Sequence, residues 1–204
     1  FLLVAIWWAV FSLPVLLFVH DQPHRARESL AAGMRGTWRE LTETWRLLRR
    51  LRMAFVFLLA YWCYIDGVDT IVRMAVDYGL SLGFAADSLL TALLITQLVG
   101  FPAALVFGRI GDRIGAKRAI WLALVVYVIV VFWAWLMTAS WEFYALAVVI
   151  GLVQGGIQAM SRALYARLIP AEHAGRLFGL YNMMGKFAAV VGPLLVGWWA
   201  VLSD

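Results

Sequence analysis

Six runs of about 20 apolar residues, near 1–19, 53–72, 88–107, 119–138, 142–162 and 177–202, recur along this chain, and each is long enough to cross a hydrocarbon core as an α-helix. Backbone exposed to lipid has no water to bond to, so runs of this length must satisfy their own N–H and C=O groups as helices. The remaining composition agrees: 64% of the residues are hydrophobic and 14% charged, with eleven tryptophans, which leaves no polar skin for a water-soluble domain. The sequence therefore predicts an all-α integral membrane protein of six transmembrane helices, with the lipid bilayer as its first partner. Run 1–19 starts at Phe1 without a basic leader and contains Pro14. It reads as a true span of a longer parent, not as a signal peptide.

Fifteen of the 17 lysines and arginines lie in 20–52, 108–118 and 162–176, while the alternate connectors 73–87 and 139–141 hold only Arg73. Basic connectors stay on the cytoplasmic side, so both ends of the chain are expected on the opposite face. A parent with cytoplasmic termini then needs an odd number of further spans at each end. The same placement excludes nucleic acid as a partner, because the cations sit between apolar spans and not on one basic face of a soluble module. Segment 20–52, which opens with "HDQPHRARESL", reads as a linker. Within it Trp38, Leu41, Trp45 and Leu48 form an apolar stripe beside a basic one, the pattern of a helix lying on the inner membrane surface or against a partner helix.

Span 119–138 has nothing ionisable except Tyr127, and 1–19 is equally bland, so both are expected to face lipid. Spans 53–72, 142–162 and 177–202 carry polar groups and are expected to face a cavity. Lys186 is the sharpest case. It lies about nine residues, or ~14 Å, past residue 177, near the midplane of a core about 30 Å thick. A charge at that depth costs roughly 2.5–3.5 kcal/mol on insertion scales, so it points to a substrate carboxylate, to a proton site, or to a structural ion pair. Asn182 shares its face, and Asp66, Gln154 or water is its expected company. Asp66 is a candidate for gating or proton coupling, and Asp69 for an ion pair with Arg73. In "GLVQGGIQA", Gln154 and Gln158 share a face, Gln154 being the better candidate to bond a solute, and Gly155 and Gly156 suit close helix packing.

No catalytic constellation accompanies these residues. His20, His24 and His173 lie in connectors, Ser161 has no histidine near it in sequence, and Cys63 is the single cysteine. The pattern offers no metal site, no cofactor and no enzyme chemistry. "GRIGDRIG" resembles a nucleotide loop but follows a membrane span instead of a strand.

That stretch carries a different resemblance. Gly108-x-x-x-Asp112-Arg113-x-Gly115-x-Lys117-Arg118 is similar, position by position, to the loop motif of the major facilitator superfamily of secondary transporters. Its glycines suit a tight turn and close helix approach, and its cations hold the turn at the inner face. The resemblance implies a gate latch, with Asp112 helping to hold the two halves together on the cytoplasmic side. Asp112 is expected to meet Arg162 there. "YWCYIDGVDTIVRMAVDYG" at 61–79, "GLVQGGIQAMSRALYARLIP" at 151–170 and "FGLYNMMGKFAAVVGPLLVG" at 178–197 resemble the vacuole-effluxer family of autophagy-related permeases. Arg176 departs from it, standing where relatives usually have an acidic residue.

This likeness implies helices 6 to 11 of a twelve-helix fold. Residues 1–19 would be the last helix of the N-terminal half, 20–52 the linker between halves, and 53–204 five helices of the C-terminal bundle. The remaining N-terminal helices of the parent would be partners. The implied function is secondary transport of a small-molecule solute, such as an amino acid, by alternating access in a bacterial inner membrane. A transport-inactive scaffold or assembly partner that keeps the fold is the alternative.

Overall fold

The computed structural model describes residues 2–18 and 30–203, and the described residues are helical almost throughout. The helices are α1 (Leu2–Phe18), α2 (Leu30–Arg50), α3 (Arg52–Ser81), α4 (Ala86–Ile114), α5 (Ala116–Leu136), α6 (Ser140–Leu168) and α7 (Ala174–Ser203), with one 3-10 turn at Ala171–His173. Five of them, α3 to α7, are long and apolar enough to cross a membrane, and α1 is a shorter apolar helix. The chain divides into two compact units, Phe1–Thr42 and Glu43–Asp204. In the first, Pro14 lies inside α1, and Trp7 and Phe11 meet with ring centroids 4.3 Å apart. Most of the arginine-rich head of segment 20–52 lies outside the described residues.

The second unit begins within α2. Leu48 is fully buried in its core, and Trp45 meets Phe55 edge-on at 5.8 Å. Of the amphipathic stripe, Leu48 thus packs against protein, while Trp38, Leu41 and Trp45 stay exposed. The helices also run well past the apolar stretches. Arg73, Arg109, Arg113, Arg162, Arg167 and Arg176 are all helical, and the connectors between spans shrink to 82–85, Gly115, 137–139 and 169–173. Hydropathy marks where the solvent changes. The i→i−4 hydrogen bonds carry on into the interface, where long cationic side chains reach water.

Two helix pairs dominate the packing, α4 with α6 and α3 with α7. Small residues make the α4–α6 seam. A Cβ at Gly151 would lie 2.8 Å from the Thr96 carbonyl oxygen, one at Gly155 would lie 3.0 Å from the Gly100 carbonyl, and one at Gly156 would strike the Phe107 ring. Thr96 Oγ1 adds a hydrogen bond to the Ala147 carbonyl at 3.2 Å. Helix α5 buries Ala116, Ala119, Ala123, Tyr127 and Val130 and exposes Trp121, Phe132 and Trp135 on its other side. That exposed side is apolar, as expected of a span with no charge, although Trp135 also lines an apolar cavity and α5 is no more exposed than α3, α4 or α7; its alanine stripe lets it sit close to its neighbours. At the α5–α6 turn the Glu142 carboxylate accepts from the Thr138 and Ala139 N–H groups at 2.9 Å each and from Trp133 Nε1 at 3.3 Å.

Gly151→Ala therefore forces two backbones apart, and thermal unfolding in detergent should show a loss of about 1–3 kcal/mol. Gly108→Ala is the control. Nothing lies within 4 Å of a Cβ built there, so its effect should stay within about 0.5 kcal/mol.

Candidate functional site

One row of side chains from each of α3, α6 and α7 converges on a polar cavity of about 240 Å³. Helix α3 contributes Tyr61, Ile65, Asp69 and Arg73, α6 contributes Gln158 and Arg162, and α7 contributes Asn182, Gly185, Lys186 and Ala189. Each row follows the three- or four-residue spacing that stacks side chains on one helix face. These are the three spans that the sequence marked as polar, and α4 and α5 add nothing to the lining. Lys186 stands twelve residues into the 30-residue α7, and it acts electrostatically on Asp69, whose leading charge interaction is with Arg73.

Asp66 does something else. Its Oδ1 accepts the Gly192 N–H at 2.7 Å, on the side of α3 turned toward α7. Gly192 precedes Pro193, which has no N–H to offer and so breaks the bonding ladder of α7 at this point. A Cβ at Gly192 would collide with Thr70 Oγ1 and come within 2.9 Å of Asp66 Oδ1, so only glycine lets the helices approach this closely. Asp66 and Asp69, three positions apart, share one side of α3, yet Asp66 is engaged by Gly192 while Asp69 lines the cavity. Gln154 occupies the cavity row of α6 one turn before Gln158, but is not part of the lining. Lys186 thus shares the cavity lining with Asp69, Asn182, Gln158 and Arg162, and neither Asp66 nor Gln154 is part of that lining.

An aromatic cluster closes the cavity toward the basic end of the bundle. Tyr61 stacks on Tyr181 with centroids 4.2 Å apart, Tyr181 stacks on Tyr165 at 5.2 Å, and Phe57 and Phe178 flank the group. Tyr64 meets the buried Ser161 hydroxyl at 2.5 Å, and Ser161 Oγ in turn donates to the Ile157 carbonyl at 2.6 Å. Tyr165 Oη donates to the Leu177 carbonyl at 3.2 Å. Sequence reasoning passed over these tyrosines. Their signal was the spacing of Phe57, Tyr61 and Tyr64 on α3 and of Phe178 and Tyr181 on α7, which resembles any apolar face.

In the loop motif, Gly115 alone joins α4 to α5 with φ +90° and ψ 143°, a conformation that only glycine adopts without strain. Gly111 approaches Met160, whereas Gly108 faces open space, so the close approach expected of Gly108 belongs to Gly111. Asp112, Arg113, Lys117 and Arg118 are exposed. The expected contact between Asp112 and Arg162 is not made. Arg162 turns into the cavity, and no ion pair joins the two among the described residues. A second cavity, of about 710 Å³, lies among α3 to α7 with a mainly apolar lining that includes Ile71, Val130, Phe143 and Leu146. It holds none of the polar residues singled out from the sequence.

Five helices long and apolar enough to cross a membrane, three of which bring polar rows to one cavity, define the class of all-α, multi-pass membrane proteins. The chain belongs to the family described as "Vacuole effluxer Atg22 like", which it matches over residues 1–200. It is 38% identical over 203 residues to the "Uncharacterized MFS-type transporter YxiO" of Bacillus subtilis (strain 168), covering 100% of this chain and 47% of that protein. It is 30% identical over 230 residues to "Autophagy-related protein 22-1" of Phaeosphaeria nodorum, covering 97% of this chain and 40% of the relative. "Autophagy-related protein 22-2" of Aspergillus clavatus is 25% identical over 222 residues, covering 96% and 36%. The chain thus spans about half the length of the first of these relatives and less of the fungal ones. No solved structure matches it.

Removing the Asp66 carboxylate leaves the Gly192 N–H without its acceptor in a low-dielectric seam. Asp66→Ala should lower unfolding stability by about 1.5–3 kcal/mol, the worth of a hydrogen bond to a charged group, and Asp66→Asn, which keeps an acceptor, by less. Thermal unfolding of the two variants side by side measures the difference.

Proposed function

We propose that this chain supplies one wall of the substrate path in a secondary active transporter of small polar solutes, amino acids among them, working by alternating access. The observation that carries the reading is the exposed polar face of α3, α6 and α7. Arg73, Arg162, Asn182 and Lys186 are all exposed on an otherwise apolar bundle, and a membrane helix presents such groups to water or to protein, not to lipid. The helices that complete the path would come from the remaining part of a longer parent. A substrate site between two repeats needs walls from both.

In this reading the aromatic cluster is the inner floor of the cavity, and the α4–α5 turn is the cytoplasmic gate. Asp112 then biases the gate through partners outside this chain's bundle. The bacterial cell membrane is the proposed location, supported by the Bacillus relative. Solute uptake into proteoliposomes containing the full-length parent tests the function. Lys186→Met keeps most of the apolar stem and removes the charge. Uptake should fall by about tenfold or more, the effect of losing one charge-assisted contact, while membrane insertion and melting temperature persist. Uptake equal to the parent would return Lys186 to a structural role.

A further inference from the structure

We propose that the α3–α6–α7 cavity is an anion site, and that its solute is a small dicarboxylate, with or without an amino group. The inference rests on the reading above that this face lines the solute path. Three cations, Arg73, Arg162 and Lys186, line the cavity against one carboxylate, Asp69. The other acid of this part of α3, Asp66, lies outside the lining and is engaged by the Gly192 N–H, but its charge still reaches Asp69, so the cations keep an excess of three over two. Among the described residues no salt bridge neutralises the three cations. A membrane bundle tolerates such an excess of like charge where water, further protein or a bound anion meets it, and the anion is the occupant proposed here.

The arrangement also gives the ligand a direction. Arg162 on α6 and Lys186 on α7 stand across the cavity from α3, with the Gln158 and Asn182 amides one turn from each along the same rows. Arg73 lies one turn beyond Asp69 on α3. One carboxylate would therefore bind between Arg162 and Lys186, and the second at Arg73. An arginine offers a planar fork matched to a carboxylate, and a lysine adds a compact point charge. Asp69, between the two positions, is placed to receive an ammonium group when the solute has one. A neutral amino acid would satisfy one of these cationic positions and leave the other empty, and a cationic solute would meet three like charges.

The test uses the full-length protein in lipid nanodiscs, with succinate, glutamate, leucine and lysine as probes and calorimetry as the binding readout. Succinate and glutamate should bind, and leucine and lysine should bind at least about tenfold more weakly. Lys186→Met and Arg162→Gln, made separately, should each weaken succinate by about tenfold or more. Asp69→Asn should weaken glutamate and leave succinate no weaker, a split that general damage to the fold would not produce.

Leucine or lysine binding as tightly as the two acids would overturn the proposal, and so would unaltered succinate affinity in both cation variants. Failure of every probe to bind would overturn it too. A parallel flux assay separates the two readings. Binding of acids without flux supports the site and sinks the transport reading, whereas flux of neutral solutes without acid binding keeps transport and discards the anion site.

Discussion

A charged group on a helix inside hydrocarbon must be met by water or by other protein, and the bundle is arranged around that requirement. Helices α3, α6 and α7 each bring a row of polar residues to a common cavity, with Asp69, Arg162 and Lys186 among them. Helix α5, with no charge beyond its basic first turn, turns Trp121, Phe132 and Trp135 outward and buries alanines. Placing even one of those charges toward lipid would cost roughly 2.5–3.5 kcal/mol by insertion scales. The cost is avoided by turning every polar row to the same side.

The packing that holds this arrangement is of two kinds. Helices α4 and α6 meet through glycines so closely that backbone carbonyls of Thr96 and Gly100 fill the space where side chains would stand. Without a hydrophobic driving force between spans, that closeness supplies the dispersion contacts that keep membrane helices together. Helices α3 and α7 meet through larger groups, the tyrosine stack at one end and the Asp66–Gly192 hydrogen bond at the other. The stack closes the cavity on one side. Pro193 loosens the α7 ladder beside the hydrogen bond, which ties the weakened turn to its neighbour.

Membership of the Atg22-like family and the match to about half of a Bacillus MFS-type transporter fit this geometry. A bundle that exposes a charged face while burying its seams is the shape expected of one wall of a larger assembly. Its cavity is small, at about 240 Å³, below the 300–1,000 Å³ typical of a complete small-molecule site.

Run lengths determined that the chain is helical and membrane-spanning, because a hydrocarbon core admits little else. The polar residues of three spans likewise marked which helices line the polar cavity. Helix ends were less legible. Hydropathy reports the change of solvent, so Arg73, Arg109 and Arg162 looked like connector residues although the helical hydrogen bonds run through them. Which acid serves the cavity was not legible at all. Asp66, read from "YIDGVD" as the coupling candidate, is engaged by the Gly192 N–H, while Asp69 lines the cavity with its leading charge interaction to Arg73. Arg162 joined the cavity instead of Asp112 for the same reason. Spacing along one helix tells which side chains share a face, and only the packing of α3, α6 and α7 against one another decided what that face meets.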